Sequence, residues 1–171
     1  MNKICITGHT SGIGKGLYEL YRTDGNAVGM SRSTGYDITN VQLIVNAMQV
    51  GDTFINNAYA PNIAQSKLLE AIITKFNPGD LRIINIGSVS AHRTDADTLA
   101  RITYATDKAH LFQTHEHMVR LGHHSTYIEL GMVDTDYNRE KTGPKLGIDA
   151  VVKMIQGIIP IPEIRFIKLT P

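Results

Sequence analysis

The segment Lys3–Leu17, KICITGHTSGIGKGL, gives the strongest indication of how this chain folds. It opens with Ile4–Ile6, a short apolar run rich in β-branched residues, which predicts a buried strand. A glycine-rich cluster follows at positions 7–14, and apolar residues then recur at helical spacing from a start near Ser11 or Gly12. A strand, a glycine turn and a helix in this order present free backbone N–H groups and a positive helix end to a phosphate.

Each glycine of this cluster has a separate expected role. Gly8 allows the chain to leave the strand in a tight turn, and Gly12 allows the backbone to approach a pyrophosphate without an intervening Cβ. Gly14 allows the helix to pack close to the sheet. The spacing T-G-x-x-x-G-I-G differs from the G-x-G-x-x-G dinucleotide fingerprint, so the remainder of the chain has to support the interpretation.

The composition is that of an ordinary globular domain. The 171 residues are 42% hydrophobic and 19% charged, with a formal net charge of +1. We therefore expect one domain over 1–171, with neither nucleic acid nor a membrane as partner. Cys5, the only cysteine, is expected to be a small core residue. Because Met1-Asn2-Lys3 leads directly into the first predicted strand, we expect no signal peptide and a cytoplasmic location.

Predicted strands and helices alternate along the whole chain, which favours a parallel sheet covered on both faces. The fold class is thus α/β, a Rossmann-like, doubly wound, three-layered domain of minimal size. After the first helix, predicted strands lie at 27–30, 52–60, 81–87, 125–133 and 164–169, and predicted helices at 41–50, 61–76, 98–121 and 148–158.

Ser31, Arg32 and Ser33 follow the second predicted strand, where a dinucleotide fold meets the adenosine ribose. No carboxylate occurs there before Asp37, and the guanidinium of Arg32 suits a phosphate. The sequence therefore favours NADP(H), with NAD(H) possible. The alternative is that Arg32 is a solvated surface charge.

Tyr104 and Lys108 are four residues apart on a predicted helix and so share one face. A nearby ammonium lowers the pKa of a phenol, which would let Tyr104 exchange a proton with a carbonyl oxygen during hydride transfer. Ser88, at the end of a predicted strand, offers a hydroxyl that could orient the same oxygen.

The glycine cluster, Asn56-Asn57-Ala58, the strand-end Ser88 and the Y-x-x-x-K pair, in this order, resemble the short-chain dehydrogenase/reductase family over nearly the whole chain. The resemblance implies that Tyr104 is the catalytic acid/base, that Lys108 lowers its pKa and binds the nicotinamide ribose, and that Ser88 polarises the substrate carbonyl. It also implies a wider set of cofactor-binding residues: Gly8, Thr10, Ser11, Gly12, Ile13, Gly14, Arg32, Ser33, Asp37, Ile38, Asn57, Ala58, Tyr104, Lys108, Gly131, Val133 and Thr135.

The family's further catalytic asparagine has one candidate here, Asn62, which lies 26 residues before Ser88. Since Asn62 directly follows Pro61, it is equally well interpreted as a helix N-cap. Two other positions depart from the family pattern, because Tyr59 replaces a glycine and Leu130 replaces a proline.

The chain is also shorter than a typical member of the family. The helix after Arg32 is missing, which should expose one sheet face and favours either a homodimer or homotetramer or an unusual local packing. The segment Asp134–Gly147 is a shortened lid, which predicts a shallow, open pocket and leaves the carbonyl or alcohol substrate unidentified.

The predicted function is thus hydride transfer between NADP(H) and a carbonyl or alcohol substrate. The alternative from another class is a non-catalytic dinucleotide-binding sensor or scaffold, which Tyr59, Leu130 and the short lid favour. The seven histidines lack the spacing of a metal site, so we expect no metal. His92 is expected to be a surface loop residue near the pocket mouth.

Overall fold

A computed structural model describes residues 2–171, and over these residues the chain forms one six-stranded sheet flanked by helices. The strands are β1 (Ile4–Thr7), β2 (Ala27–Met30), β3 (Thr53–Asn56), β4 (Arg82–Ile86), β5 (His124–Leu130) and β6 (Phe166–Leu169). The helices are α1 (Gly12–Arg22), α2 (Val41–Ala47), α3 (Ala64–Lys75), α4 (Leu99–Arg120) and α5 (Ile148–Ile158).

All five strand pairs are parallel, and the strand order is β2-β1-β3-β4-β5-β6. The order reverses at β1, since β2 lies on one side of it and β3 on the other. In open parallel sheets the crevice at the carboxyl ends of the strands beside such a reversal is the usual ligand site. The predicted Rossmann-like α/β fold is confirmed.

The sheet separates two hydrophobic clusters, as expected for three layers. Successive side chains of a strand point to opposite faces, so Phe54 joins the cluster under α2, α3 and α4 while Ile55 joins the cluster under α1 and α5. Ile83 and Ile84 divide between the two clusters in the same way. Cys5 is fully buried in the first cluster, and burial raises the pKa of its thiol to about 12.

The sheet face beside β2 is covered locally. Instead of a full helix, a short 3₁₀ helix at Arg32–Thr34 follows β2. The next residues turn back, and Tyr36 and Ile38 pack against the same cluster as Met30. The unusual local packing expected from the sequence therefore occurs here, and a homodimer or homotetramer stays a prediction.

The start of α3 differs from the sequence prediction. The helix begins at Ala64, and both Asn62 and Ile63 have positive φ angles, +66° and +54°. The interpretation of Asn62 as N-cap is wrong, because the cap position is Ile63 and no side chain caps the helix locally. Instead, the carboxylate of Asp107 on α4 accepts a hydrogen bond from the Ile63 N–H at 2.9 Å.

Candidate active site

A cleft of about 950 Å³ lies at the carboxyl ends of β1, β2 and β3. Its volume is within the range of about 300–1,000 Å³ that ligand pockets usually have. Most of the residues proposed from the sequence to bind a cofactor line this cleft: Gly8, Thr10, Ser11, Gly12, Ile13, Arg32, Ser33, Asp37, Ile38, Asn57, Ala58, Tyr104 and Thr135.

The glycine turn between β1 and α1 has the geometry that its sequence predicts. Gly8 and Gly12 have φ angles of +70° and +51°, in the region that favours glycine. A Cβ on Gly14 would lie 2.2 Å from the Gly8 carbonyl oxygen, so only glycine lets α1 begin this close to the turn. The Ser11 side chain does not cap α1, which leaves its first backbone N–H groups facing the cleft.

Thr7, which sequence reasoning missed, ties this turn to the end of β3. Its hydroxyl oxygen accepts hydrogen bonds from the backbone N–H groups of Asn57 at 2.9 Å and Ala58 at 3.0 Å. The Asn57 side chain in turn donates to the Thr7 carbonyl at 3.0 Å. The Asn-Asn-Ala segment is therefore held beside the glycine turn, where both line the cleft.

The end of the cleft beside β2 carries the residues expected at the adenosine ribose. Arg32 is exposed on its 3₁₀ helix, and the Ser31 and Ser33 hydroxyl oxygens are 2.8 Å apart. The Asp37 carboxylate accepts hydrogen bonds from the Thr39 backbone and hydroxyl, which lower the pKa of Asp37, and the charge of Arg32 lowers it further. The Asp37 carboxylate thus accepts hydrogen bonds from its own turn, while Arg32 lines the cleft.

Tyr104 lies at the opposite end of the cleft, half-buried on α4. The Tyr59 ring packs edge-on against its ring, with centroids 4.9 Å apart. Burial raises the pKa of Tyr104, an interaction with the Ser88 side chain opposes this rise, and the nearby Tyr137 adds to it. The pKa of Tyr104 is thus raised, whereas the sequence interpretation expected Lys108 to lower it.

The reason for this difference is the position of Lys108. Its side chain is 3% exposed and does not line the cleft; the ammonium nitrogen lies 5.6 Å from the centroid of Tyr104 and 5.8 Å from that of Tyr59. Burial lowers the pKa of Lys108 to about 7, against a smaller opposing effect of Asp107. Near neutral pH the amine is therefore only partly charged, which weakens its effect on the phenol.

Ser88 is buried at the end of β4, adjacent to Tyr104. Its hydroxyl oxygen accepts a hydrogen bond from the Ser90 backbone at 3.2 Å and so caps the 3₁₀ helix Val89–His92. His92 on this short helix contacts the buried Glu129 carboxylate, 2.6 Å from its ring nitrogen. Lys168 approaches the other oxygen of Glu129 at 2.7 Å. His92 therefore anchors the segment after Ser88.

Besides Gly14, Ser88 and Lys108, three further predicted site residues do not line the cleft. Asn62 is exposed at the start of α3. Val133 is buried in the core, and its carbonyl accepts hydrogen bonds from the Thr135 backbone and from the Asn138 side chain. Gly131 packs on the chain end, since a Cβ there would lie 2.8 Å from Pro171. From this segment only Thr135, together with its neighbours, reaches the cleft.

Two polar residues near Tyr104 and Lys108 were missed by sequence reasoning. Asp107 is 7% exposed and accepts hydrogen bonds from the Tyr59 hydroxyl at 3.0 Å and from the Ile63 backbone. Gln65 is 4% exposed, and its amide oxygen accepts a hydrogen bond from the Lys108 ammonium at 2.7 Å. The only signal for Gln65 in the sequence is a polar residue on the buried face of a helix.

Within residues 2–171, no three His, Cys, Asp or Glu side chains are grouped closely enough to hold a metal ion. Over the same residues, every helix is too short or too polar to span a lipid bilayer.

The fold resembles those of solved short-chain dehydrogenases. A short-chain dehydrogenase from Burkholderia cenocepacia J2315, in complex with NADP, superposes with a TM-score of 0.73 at 16% identity over 98% of this chain and 87% of its own. A 3-oxoacyl (acyl-carrier-protein) reductase from Agrobacterium tumefaciens C58, with NADP bound, gives 0.76 at 15% identity over 99% and 93%. The 3-alpha-hydroxysteroid dehydrogenase from Pseudomonas sp. B-0831, complexed with NADH, gives 0.71 at 16% over 98% and 95%.

At these identities the likeness establishes a common fold, so the chain has the fold of short-chain dehydrogenases. No protein-family model matches the sequence, and no curated protein sequence matches it.

Proposed function

We propose that this chain is an oxidoreductase that transfers a hydride between NADP(H) and a small carbonyl or alcohol substrate. The observation that supports this most strongly is that one cleft joins the glycine turn at Gly8–Gly14, the guanidinium of Arg32 and the phenol of Tyr104. These groups suit, respectively, a pyrophosphate, a ribose phosphate and a reacting carbonyl oxygen.

The residues present fit a dinucleotide along the whole cleft. The free N–H groups at the start of α1 would hold the pyrophosphate, and Arg32 and Ser33 would hold the adenosine ribose with its 2′-phosphate. Asp37 and Ile38 line the end of the cleft that would take the adenine, and Thr135 and Tyr104 line the end that would take the nicotinamide. Two structural neighbours were solved with NADP and one with NADH, which agrees with NADP(H) as the favoured cofactor and NAD(H) as possible.

When bound, the nicotinamide supplies or accepts the hydride. Tyr104 gives a proton to the carbonyl oxygen in the reduction and takes it back in the oxidation. Ser88, which lies next to the phenol, orients the same oxygen by a hydrogen bond. Lys108 in its protonated form would lower the pKa of Tyr104, and it would donate to the nicotinamide ribose once its ammonium becomes accessible from the cleft.

The experiment is a comparison of wild type with Tyr104→Phe. A panel of aldehydes and ketones is screened by the loss of NADPH absorbance, and NADPH binding is measured by calorimetry. We expect turnover by the wild type. The turnover rate of the variant should be at least about 100-fold lower, while its affinity for NADPH should be unchanged. Equal turnover by both proteins would contradict the role of Tyr104.

A non-catalytic dinucleotide-binding protein is the second candidate. The packing of the Tyr59 ring on Tyr104 and the burial of Lys108 favour it, because both groups would have to become accessible for catalysis. Tight NADPH binding without turnover of any carbonyl in the panel would support this candidate.

A further inference from the structure

We infer that Gln65 is a positioning residue for Lys108: it holds the ammonium behind the rings of Tyr59 and Tyr104 and connects it to a buried network of hydrogen bonds that ends at His115. The inference rests on the proposed function in that it assigns Lys108 a catalytic role. The contacts that carry it lie entirely within the chain.

The Lys108 ammonium has three protons to donate, and two of them have acceptors. One goes to the Gln65 amide oxygen at 2.7 Å and the other to the Ile86 carbonyl at 2.8 Å. The third remains on the side of the Tyr59 and Tyr104 rings, toward the cleft. Gln65 thus fixes the direction in which Lys108 can donate to a bound molecule.

The Gln65 side chain is itself held in one orientation. Its amide nitrogen donates to the backbone carbonyl of Asn56 at 2.9 Å, so its oxygen has to face Lys108. The Asn56 side chain donates back to the backbone carbonyl of Gln65 at 3.2 Å and to the Asn85 amide oxygen at 3.2 Å. These reciprocal bonds join the start of α3 to the ends of β3 and β4.

The hydrogen-bond network continues from β4 across β5 to α4. The Asn85 amide nitrogen donates to the Ser125 hydroxyl at 3.0 Å, and this hydroxyl lies 2.9 Å from Nδ1 of His115. Burial lowers the pKa of His115 to about 4, so the imidazole is neutral near pH 7. The hydrogen-bond network therefore begins at the Lys108 side chain and ends at a neutral imidazole.

The other side chains around Lys108 do not accept a hydrogen bond from its ammonium. The titratable groups that face it are Tyr59 after β3, Tyr104 and Asp107 on α4, and Tyr127 on β5. The Asp107 carboxylate is occupied by the Tyr59 hydroxyl and the Ile63 backbone, and the Tyr127 hydroxyl donates to the Lys108 carbonyl. Gln65 is consequently the side-chain acceptor that determines how easily Lys108 holds its proton.

The test is a pH titration of Lys108 in the protein without cofactor. It is monitored by NMR of ¹³C-labelled lysine, and the Lys108 signal is assigned by its absence in Lys108→Met. Gln65→Met keeps the length but removes the acceptor, so the midpoint should fall by at least about one pH unit. Gln65→Glu places a carboxylate at the same position, so the midpoint should rise by at least about one unit. Gln113→Glu, on the exposed face of α4, is the matched control and should leave the midpoint unchanged.

Circular dichroism verifies that each variant is folded, and Gln65→Asn, whose shorter amide falls short of Lys108, replaces Gln65→Met if that variant does not fold. Unchanged midpoints in both folded Gln65 variants would overturn the inference. Where turnover is measurable, the alkaline limb of the pH–rate profile should move with the midpoint in each variant. Shifted midpoints in a chain that does not bind NADPH would refute the proposed function and leave the role of Gln65 intact.

Discussion

Burial of Lys108 should make the stability of the folded chain depend on pH in a narrow range. Its pKa is about 7 in the fold against an ordinary value of 10.5, so the unfolded chain binds more protons at every pH between these values. Stability therefore rises as the pH increases through this window. Integration of the proton difference from about pH 7 to 8.5 gives a gain of about 2 kcal/mol.

This window is largely free of other perturbed groups. Burial lowers the pKa values of His115 and His123, so their effects lie below the ordinary histidine value of 6.5. The raised pKa of Cys5 reduces stability only as the pH approaches the ordinary thiol value of 9.0, and the perturbed tyrosines act higher still. Burial also lowers the pKa of Lys141, so it is the difference between wild type and Lys108→Met that reports on Lys108.

The assay is urea denaturation of wild type and Lys108→Met at three pH values across the window. The wild type should gain the amount stated above, and the variant, which has no titrating group at this position, should gain clearly less. Lys67→Met, an exposed lysine on α3, is the control and should behave as wild type. A flat wild-type profile, or an equal slope in Lys108→Met, would refute the reasoning.

Three further substitutions test the cleft. Arg32→Asp should move binding from NADPH toward NADH, measured by calorimetry, and an unchanged preference would show that Arg32 is only a surface charge. Gly14→Ala should cost more than about 2 kcal/mol in urea denaturation, because the new Cβ would lie 2.2 Å from the Gly8 oxygen; Gly157→Ala, with open space around it, is the control and should be neutral or stabilising. Tyr59→Phe should cost about 1–2 kcal/mol by the loss of its hydrogen bond to Asp107, and an unchanged denaturation midpoint would show that this bond does not stabilise the chain.

The fold was predictable because its signals are local. β-branched runs, glycine turns and helical spacing predicted each strand and helix in order, and the ends of the strands then placed the polar residues at one edge of the sheet. The glycine turn, Arg32 and Tyr104 lie in one cleft for this reason. Boundaries were less accurate, as at α3, where the capping group comes from Asp107 on another helix.

The environment of Lys108 was not predictable, since it depends on contacts far apart in the chain. The Gln65 acceptor lies 43 residues before it, and the Ile86 carbonyl 22 residues before it. Spacing alone showed that Tyr104 and Lys108 share a helix face, but how deeply that face is buried is a tertiary property. For the same reason the direction of the Tyr104 pKa shift differed from the expectation.

Thermal unfolding with and without NADPH, and separately with NADH, tests the central claim most directly. At about 100 times the dissociation constant, a ligand that binds only the folded state adds about 2.7 kcal/mol of stability. For a domain of this size that corresponds to a rise in Tm of roughly 5–11 °C. We expect this rise with NADPH and a smaller one with NADH, whereas an unchanged Tm with both would contradict the account of the cleft as a dinucleotide site.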